Sequence, residues 1–82
     1  MTEKEIKKIL NEVFINIMGL KSFELSLSMD KVKHWDSLKQ IQLLNSIEDN
    51  FRIKIHFDDA LSMTNGESIV EIIKKYVSIK IK

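Results

Sequence analysis

The chain has 82 residues, and twelve lysines and one arginine meet twelve acidic residues for a formal charge of +1. A length like this supports one domain with a thin core, burying about two thirds of the surface the unfolded chain exposes. The absence of cysteine excludes disulfide staples, thiolate nucleophiles and thiolate metal ligands, and the balanced charge argues against nucleic acid as a partner.

No apolar stretch reaches the roughly 18 residues of a membrane span. The opening MTEKEIKKIL mixes acids and bases and has no apolar core like that of a signal peptide, so a soluble, cytoplasmic protein is expected. Lys74, Lys75, Lys80 and Lys82 form the densest basic group, which reads as a solvated helix end that suits the dipole.

Thr2-Glu3-Lys4-Glu5 has the form of a capping box, with Thr2 as N-cap. Ile6, Ile9, Leu10, Val13, Phe14 and Ile17 follow at three- and four-residue spacing. This predicts an amphipathic helix ending near Met18, with Gly19 as its stop. In residues 19–36, Leu25, Leu27 and Met29 alternate with Ser26 and Ser28, as in a short strand. With no second strand to pair, its backbone groups would go unsatisfied. A long loop is therefore expected, with Leu20, Phe23, Leu25 and Leu27 tucked over the end of the core.

A second helix is predicted from Asp36 or Ser37 to about Asn50 or Phe51, with Asp36 as N-cap. Leu38, Ile41, Leu44, Ile47 and Phe51, with Leu43 beside them, read as its apolar stripe. Ile53 and Ile55 belong to an extended connection. A short helix over Phe57 to Ser62, opened by Asp58 and Asp59, comes next. A second capping-box pattern at Thr64-Asn65-Gly66-Glu67 opens a last helix carrying Ile69, Ile72, Ile73, Tyr76 and Val77; residues 78–82 are expected to fray. Each stripe needs a partner, so the fold expected is an all-α helical bundle in a single domain, residues 1–82, with three longer helices, one short helix and a long first loop.

His34 lies three residues before Ser37, which suggests a base and a nucleophile. A hydrolase also needs an orienting acid, an oxyanion hole and a pocket, for which so small a bundle has little room. His34 therefore reads as an exposed loop residue. His56 beside Asp58 and Asp59 does not make a closed ligand set, so no metal site is expected. Ser37 reads plainly as a helix-start residue. A phosphate attached there would be favoured by the free amides and the positive end of the helix dipole, so Ser37 is also a sensible modification site.

The stretch WDSLKQIQLLNSIEDNFRIKI, residues 35 to 55, resembles the acyl carrier protein family, including the related peptidyl carriers. Asp-Ser-Leu stands at the helix start, followed by Ile41, Leu43, Leu44 and Ile47, the acidic pair Glu48-Asp49, then Phe51, Ile53 and Ile55. The long first loop, the FDDA short helix and the closing helix also agree, so the resemblance spans nearly the whole chain and implies a four-helix bundle of acyl-carrier type. It implies that Ser37 is the attachment point of 4′-phosphopantetheine, installed from coenzyme A by a phosphopantetheinyl transferase. The arm's thiol would hold acyl or aminoacyl groups as thioesters, giving thiol chemistry to a chain without cysteine. It implies that the chain is no enzyme and that loading and transfer enzymes act on the tethered group.

The resemblance further implies roles for residues around the serine. Asp36 caps the helix and presents Ser37; Leu38 makes an apolar contact beside the arm. Ile41, Leu44, Ile47 and Phe51 either line a cargo cavity, as in the family, or are plain core. Trp35, Lys39, Gln42, Glu48 and Asp49 are the expected partner-recognition positions. Lys39 and Gln42 depart from the acidic second helix of fatty-acid carriers. With the net charge, they point to a dedicated pathway. Trp35 before the motif resembles discrete carriers of aminoacyl, cell-surface polysaccharide or secondary-metabolite pathways. A monomer is expected, since several partners must share its surface. The alternative is a small helical interaction module in which Ser37 only caps a helix.

Overall fold

In the computed structural model the backbone is described for residues 2–81 and the side chains for residues 2–77. Helix α1 spans Glu3–Met18, and both halves of its capping box form. Thr2 Oγ1 accepts from the Glu5 amide at 3.2 Å, and the Thr2 amide donates to Glu5 Oε1 at 2.9 Å. Gly19, at φ 70°, ends the helix with its N–H on the Ile15 carbonyl at 3.1 Å, a left-handed conformation that glycine adopts without steric cost.

Helices α2 (Ser37–Phe51), α3 (Phe57–Ser62) and α4 (Gly66–Ile81) complete the bundle, and among the described residues there is no strand, only an isolated bridge. The expected all-α four-helix architecture is the one observed. Helix α1 packs on α2 and α4, while α3 rests on α4 and buries no residue of its own. Ile6, Leu10 and Phe14 of α1 meet Leu43 and Ile47 of α2 and Ile69 and Ile73 of α4 in one core. None of the helices is long and apolar enough to cross a membrane, as far as the described residues go.

The apolar stripe of α2 differs from the expected one. Leu43, Ile47 and Phe51 are buried, whereas Leu38 and Ile41 stand 63% and 58% exposed. In a helix of 3.6 residues per turn, steps of three precess by about 60° each, so three such steps from Leu38 end on roughly the opposite face at Ile47. The repeat at three, three, three was thus two faces read as one.

The first loop is tied down by its neighbours. The Phe23 amide donates to Asn11 Oδ1 at 2.8 Å, and Leu20, Phe23 and Leu27 pack against the core as expected, while Leu25 is largely exposed. The alternating segment does have a partner: the connection between α3 and α4. Ser28 bridges Asn65, the Met29 amide donates to the Thr64 carbonyl at 2.8 Å, and the Gly66 amide donates to the Leu27 carbonyl at 2.7 Å. This pairing moves the last N-cap one residue along from Thr64. Asn65 Oδ1 accepts from the Ser68 amide at 2.8 Å.

At the other seam, Asp59 ties α3 to α4. The Tyr76 hydroxyl donates to Asp59 Oδ2 at 2.5 Å, and Lys75 Nζ lies 3.0 Å from the same carboxylate. The Tyr76 hydrogen bond first, and the Lys75 ammonium second, hold this carboxyl below the usual carboxylate range. The Tyr76 oxygen also accepts from the His56 amide at 2.9 Å. Helix α4 continues to Ile81; the expected fraying of residues 78–82 falls on side chains outside the described ones.

Gly66 is where loop and helix come closest. A Cβ there would lie 2.3 Å from the Glu24 carbonyl oxygen and 2.9 Å from Leu25 Cα, backbone atoms that must shift to make room. Gly66→Ala is expected to cost about 1–3 kcal/mol despite alanine's better helix propensity, as overpacking does. Urea unfolding checks this, and a neutral result would mean the loop approaches less closely.

Candidate functional site

The site begins with the way α2 starts. Asp36 is extended, at φ −106° and ψ −172°, and its Oδ1 accepts from the Lys39 amide at 2.9 Å. The first intrahelical bond runs from the Gln40 amide to the Asp36 carbonyl at 2.8 Å. Ser37 is therefore the first helical residue, and the amides of Ser37 and Leu38 precede the hydrogen-bonded ladder at the positive end of the dipole. Ser37 is exposed, and its hydroxyl has no hydrogen-bond partner among the described residues.

Beneath this exposed corner lies a buried one. Trp35 is 3% exposed, with its ring edge-on to Phe14 at a centroid distance of 5.5 Å and an interplanar angle of 79°. Phe14 in turn meets Phe23 at 5.0 Å. The indole N–H donates to Gln40 Oε1 at 2.5 Å, and Gln40 Nε2 donates to the Met63 carbonyl at 2.8 Å. One glutamine side chain thus joins the end of the first loop, the first turn of α2 and the end of α3.

The expectation that Trp35 meets a partner is corrected here, because its ring is core. A large apolar ring gains most by burial, and Gln40 satisfies the one polar atom it carries. Local sequence signals alone do not single out Gln40. Its signal is its phase: seven residues before Ile47, it lies on the buried face of α2, where a polar side chain needs a partner.

The other residues fall into two groups. Asp36, Ser37, Leu38 and Lys39 gather at the start of α2, with exposed Gln42 one turn on. Glu48 and Asp49 stand near its far end, and Glu48 is engaged structurally: its Oε2 accepts from the Ile55 amide at 2.8 Å. Of the four residues weighed as cargo lining or core, Ile47 and Phe51 are core. Ile41 and Leu44, together with Glu48, Ile55, Phe57 and Ala60, line an open groove of about 260 Å³ between α2 and α3. Phe57 and Leu61 extend the apolar surface along α3, at 75% and 63% exposure. His34 and His56 are exposed.

No protein-family model matches the chain. It is 36% identical over 75 residues to an acyl carrier protein of Buchnera aphidicola subsp. Baizongia pistaciae (strain Bp), an alignment covering 92% of this chain and 94% of the relative. The chain belongs to the acyl carrier protein family. As a member it is a carrier and not an enzyme. Its fold also matches the solution structure of holo acyl carrier protein from Geobacter metallireducens, with a TM-score of 0.81 at 20% identity over 90% of this chain and 87% of that one.

For this carrier, the Gln40 link predicts a measurable cost. Gln40→Leu keeps the bulk but strands the Trp35 indole N–H and the Met63 carbonyl, which is expected to cost about 1–3 kcal/mol. In a double-mutant cycle with Trp35→Phe, the two losses should fall short of additive, as for residues sharing one bond. Full additivity in denaturant unfolding would show that the two side chains act independently.

Proposed function

We propose that Ser37 bears a 4′-phosphopantetheine arm as a phosphodiester and that the chain carries acyl or aminoacyl groups on it as thioesters. The observation that carries this reading is the exposed hydroxyl of Ser37 on the first turn of α2, without a hydrogen-bond partner among the described residues, in a chain of the acyl carrier protein family. The solved carrier with the same fold is named as a holo protein. The residues fit the group. The hydroxyl is open to an incoming phosphate, and the Ser37 and Leu38 amides and the helix dipole favour negative charge beside it.

The arm would supply the thiol that the chain's own residues lack. A phosphopantetheinyl transferase joins Ser37 Oγ to the phosphopantetheine of coenzyme A and releases adenosine 3′,5′-bisphosphate, the serine proton leaving to a base of the transferase. Ser37 provides the attachment oxygen, Asp36 holds the first turn that presents it, and Leu38 and Ile41 offer apolar contacts to whatever approaches. Acyl- or aminoacyl-loading and transfer enzymes then act on the tethered group. Lys39 and exposed Gln42 on α2 support service in a dedicated biosynthetic pathway rather than bulk fatty acid synthesis.

Intact mass after incubation with coenzyme A, magnesium and a broadly specific transferase tests this. The native chain is expected to gain one phosphopantetheine and Ser37→Ala none. No gain with several such transferases would leave Ser37 as a helix-start residue and make an interaction module built on the α2–α3 groove the better reading.

A further inference from the structure

The sequence holds one Asn-Gly pair, Asn65-Gly66, and it lies at the seam between the first loop and the start of α4. An asparagine followed by glycine is the one most prone to lose its side-chain ammonia, because a residue without Cβ lets its backbone nitrogen swing onto the side-chain carbonyl carbon. In that reaction the Gly66 nitrogen gives its proton to hydroxide and attacks Asn65 Cγ. The side-chain nitrogen takes up a proton and leaves as ammonia, and a cyclic succinimide remains. Water then opens the ring at either carbonyl and leaves aspartate or isoaspartate at position 65.

The fold holds both reactants away from this chemistry. Asn65 Oδ1 accepts from the Ser68 amide at 2.8 Å, and the Asn65 carbonyl accepts from the Ile69 amide and from Ser68 Oγ, each at 3.1 Å. Gly66 is buried, out of reach of solvent base, and its N–H donates to the Leu27 carbonyl at 2.7 Å. The first amides of a helix have no partner inside it, so that acceptor must come from outside α4, and the first loop supplies it. The same loop pairs Ser28 with Asn65 and the Met29 amide with the Thr64 carbonyl. It is in turn tied to α1 where the Phe23 amide donates to Asn11 Oδ1 at 2.8 Å.

We propose that Asn65 is a deamidation site guarded by the first loop, reacting only when residues 24–29 lift off the start of α4. This chemistry is independent of the carrier reading. Its two products leave different molecules behind. Aspartate keeps the cap, since its carboxylate accepts from the Ser68 amide and suits the positive end of the helix. Isoaspartate adds a methylene to the backbone between positions 65 and 66, so the Ser28–Asn65 bridge and the Leu27–Gly66 bond no longer fit one register. The guard is then lost in the modified chain, and the loop that leads to Ser37 loses its tie to α4.

The test incubates the native chain, the synthetic peptide of residues 62–68, Asn11→Ala and Val77→Ala side by side in warm neutral buffer. Peptide mass mapping follows the change from amide to acid at position 65, and labelling by an isoaspartyl methyltransferase follows isoaspartate. The native chain is expected to react at least about tenfold more slowly than the peptide, because only its open fraction is reactive. Asn11→Ala removes the acceptor of the Phe23 amide and should raise the rate severalfold. Val77→Ala thins the core about 16 Å along α4 from Gly66 and calibrates how far a loss of global stability, read by urea unfolding, speeds the reaction by itself. Acceleration in Asn11→Ala should exceed that calibration. A native chain that reacts as fast as the peptide would overturn the proposal, as would a rate in Asn11→Ala no higher than its global stability accounts for.

Discussion

The indole N–H of Trp35 must find an acceptor inside the protein, and the position of Ser37 follows from how it does. The Trp35 ring is fixed edge-on against Phe14 of α1, and its N–H reaches Gln40 one turn inside α2. Gln40 passes the constraint to the Met63 carbonyl at the end of α3. A buried unpaired donor costs on the order of 1–3 kcal/mol, so the three elements are held in one arrangement. Asp36 and Ser37 follow Trp35 directly. The anchored ring therefore sets where the chain leaves the core and the capped helix begins. An exposed serine needs such an anchor to be presented in a constant place, because its side chain makes no hydrogen bond among the described residues.

Helix α2 then divides its labour by face and by end. Its inner face, Gln40, Leu43, Ile47 and Phe51, joins the core and the anchor. Its outer face carries Leu38 and Ile41 in the open. The start of the helix carries the exposed Ser37 hydroxyl. The far end is acidic, and there Glu48 serves the fold by accepting from the Ile55 amide. Short α3 buries none of its own side chains and is seated on α4 by the Asp59–Tyr76–Lys75 cluster at its start and by the Ser62 carbonyl, which accepts from Ser68 Oγ at 2.7 Å, at its end. The groove it makes with α2 is bounded on one side by the element with the least core of its own.

Much of this was readable from local signals. The capping box at Thr2, the stop at Gly19, the Asp36 cap and the bounds of α3 depend only on residues within a turn of each other, and they are as expected. Ser37 stood out for the same reason: an N-cap aspartate and a periodic helix mark the first turn from sequence alone. What was not legible depends on distant contacts. The segment around Ser28 lacked a visible partner because the partner lies almost forty residues on, at Asn65. The inward turn of Trp35 could not be separated from an outward one without knowing that Phe14 and Gln40 converge on it. The α2 stripe differs from the expected one for another reason, since steps of three drift around a helix and a face is kept only by mixing threes and fours.

Native-state hydrogen exchange of the Trp35 indole N–H tests most directly whether the corner beneath Ser37 is preformed. Protection comparable with that of the core amides around Phe14 and Ile69, lost only on global unfolding, is the expected result. Exchange as fast as that of an exposed loop amide such as Lys33 would contradict it. The Trp35–Gln40 bond would then open freely, and Ser37 would be carried on a loose end of the helix rather than on an anchored one.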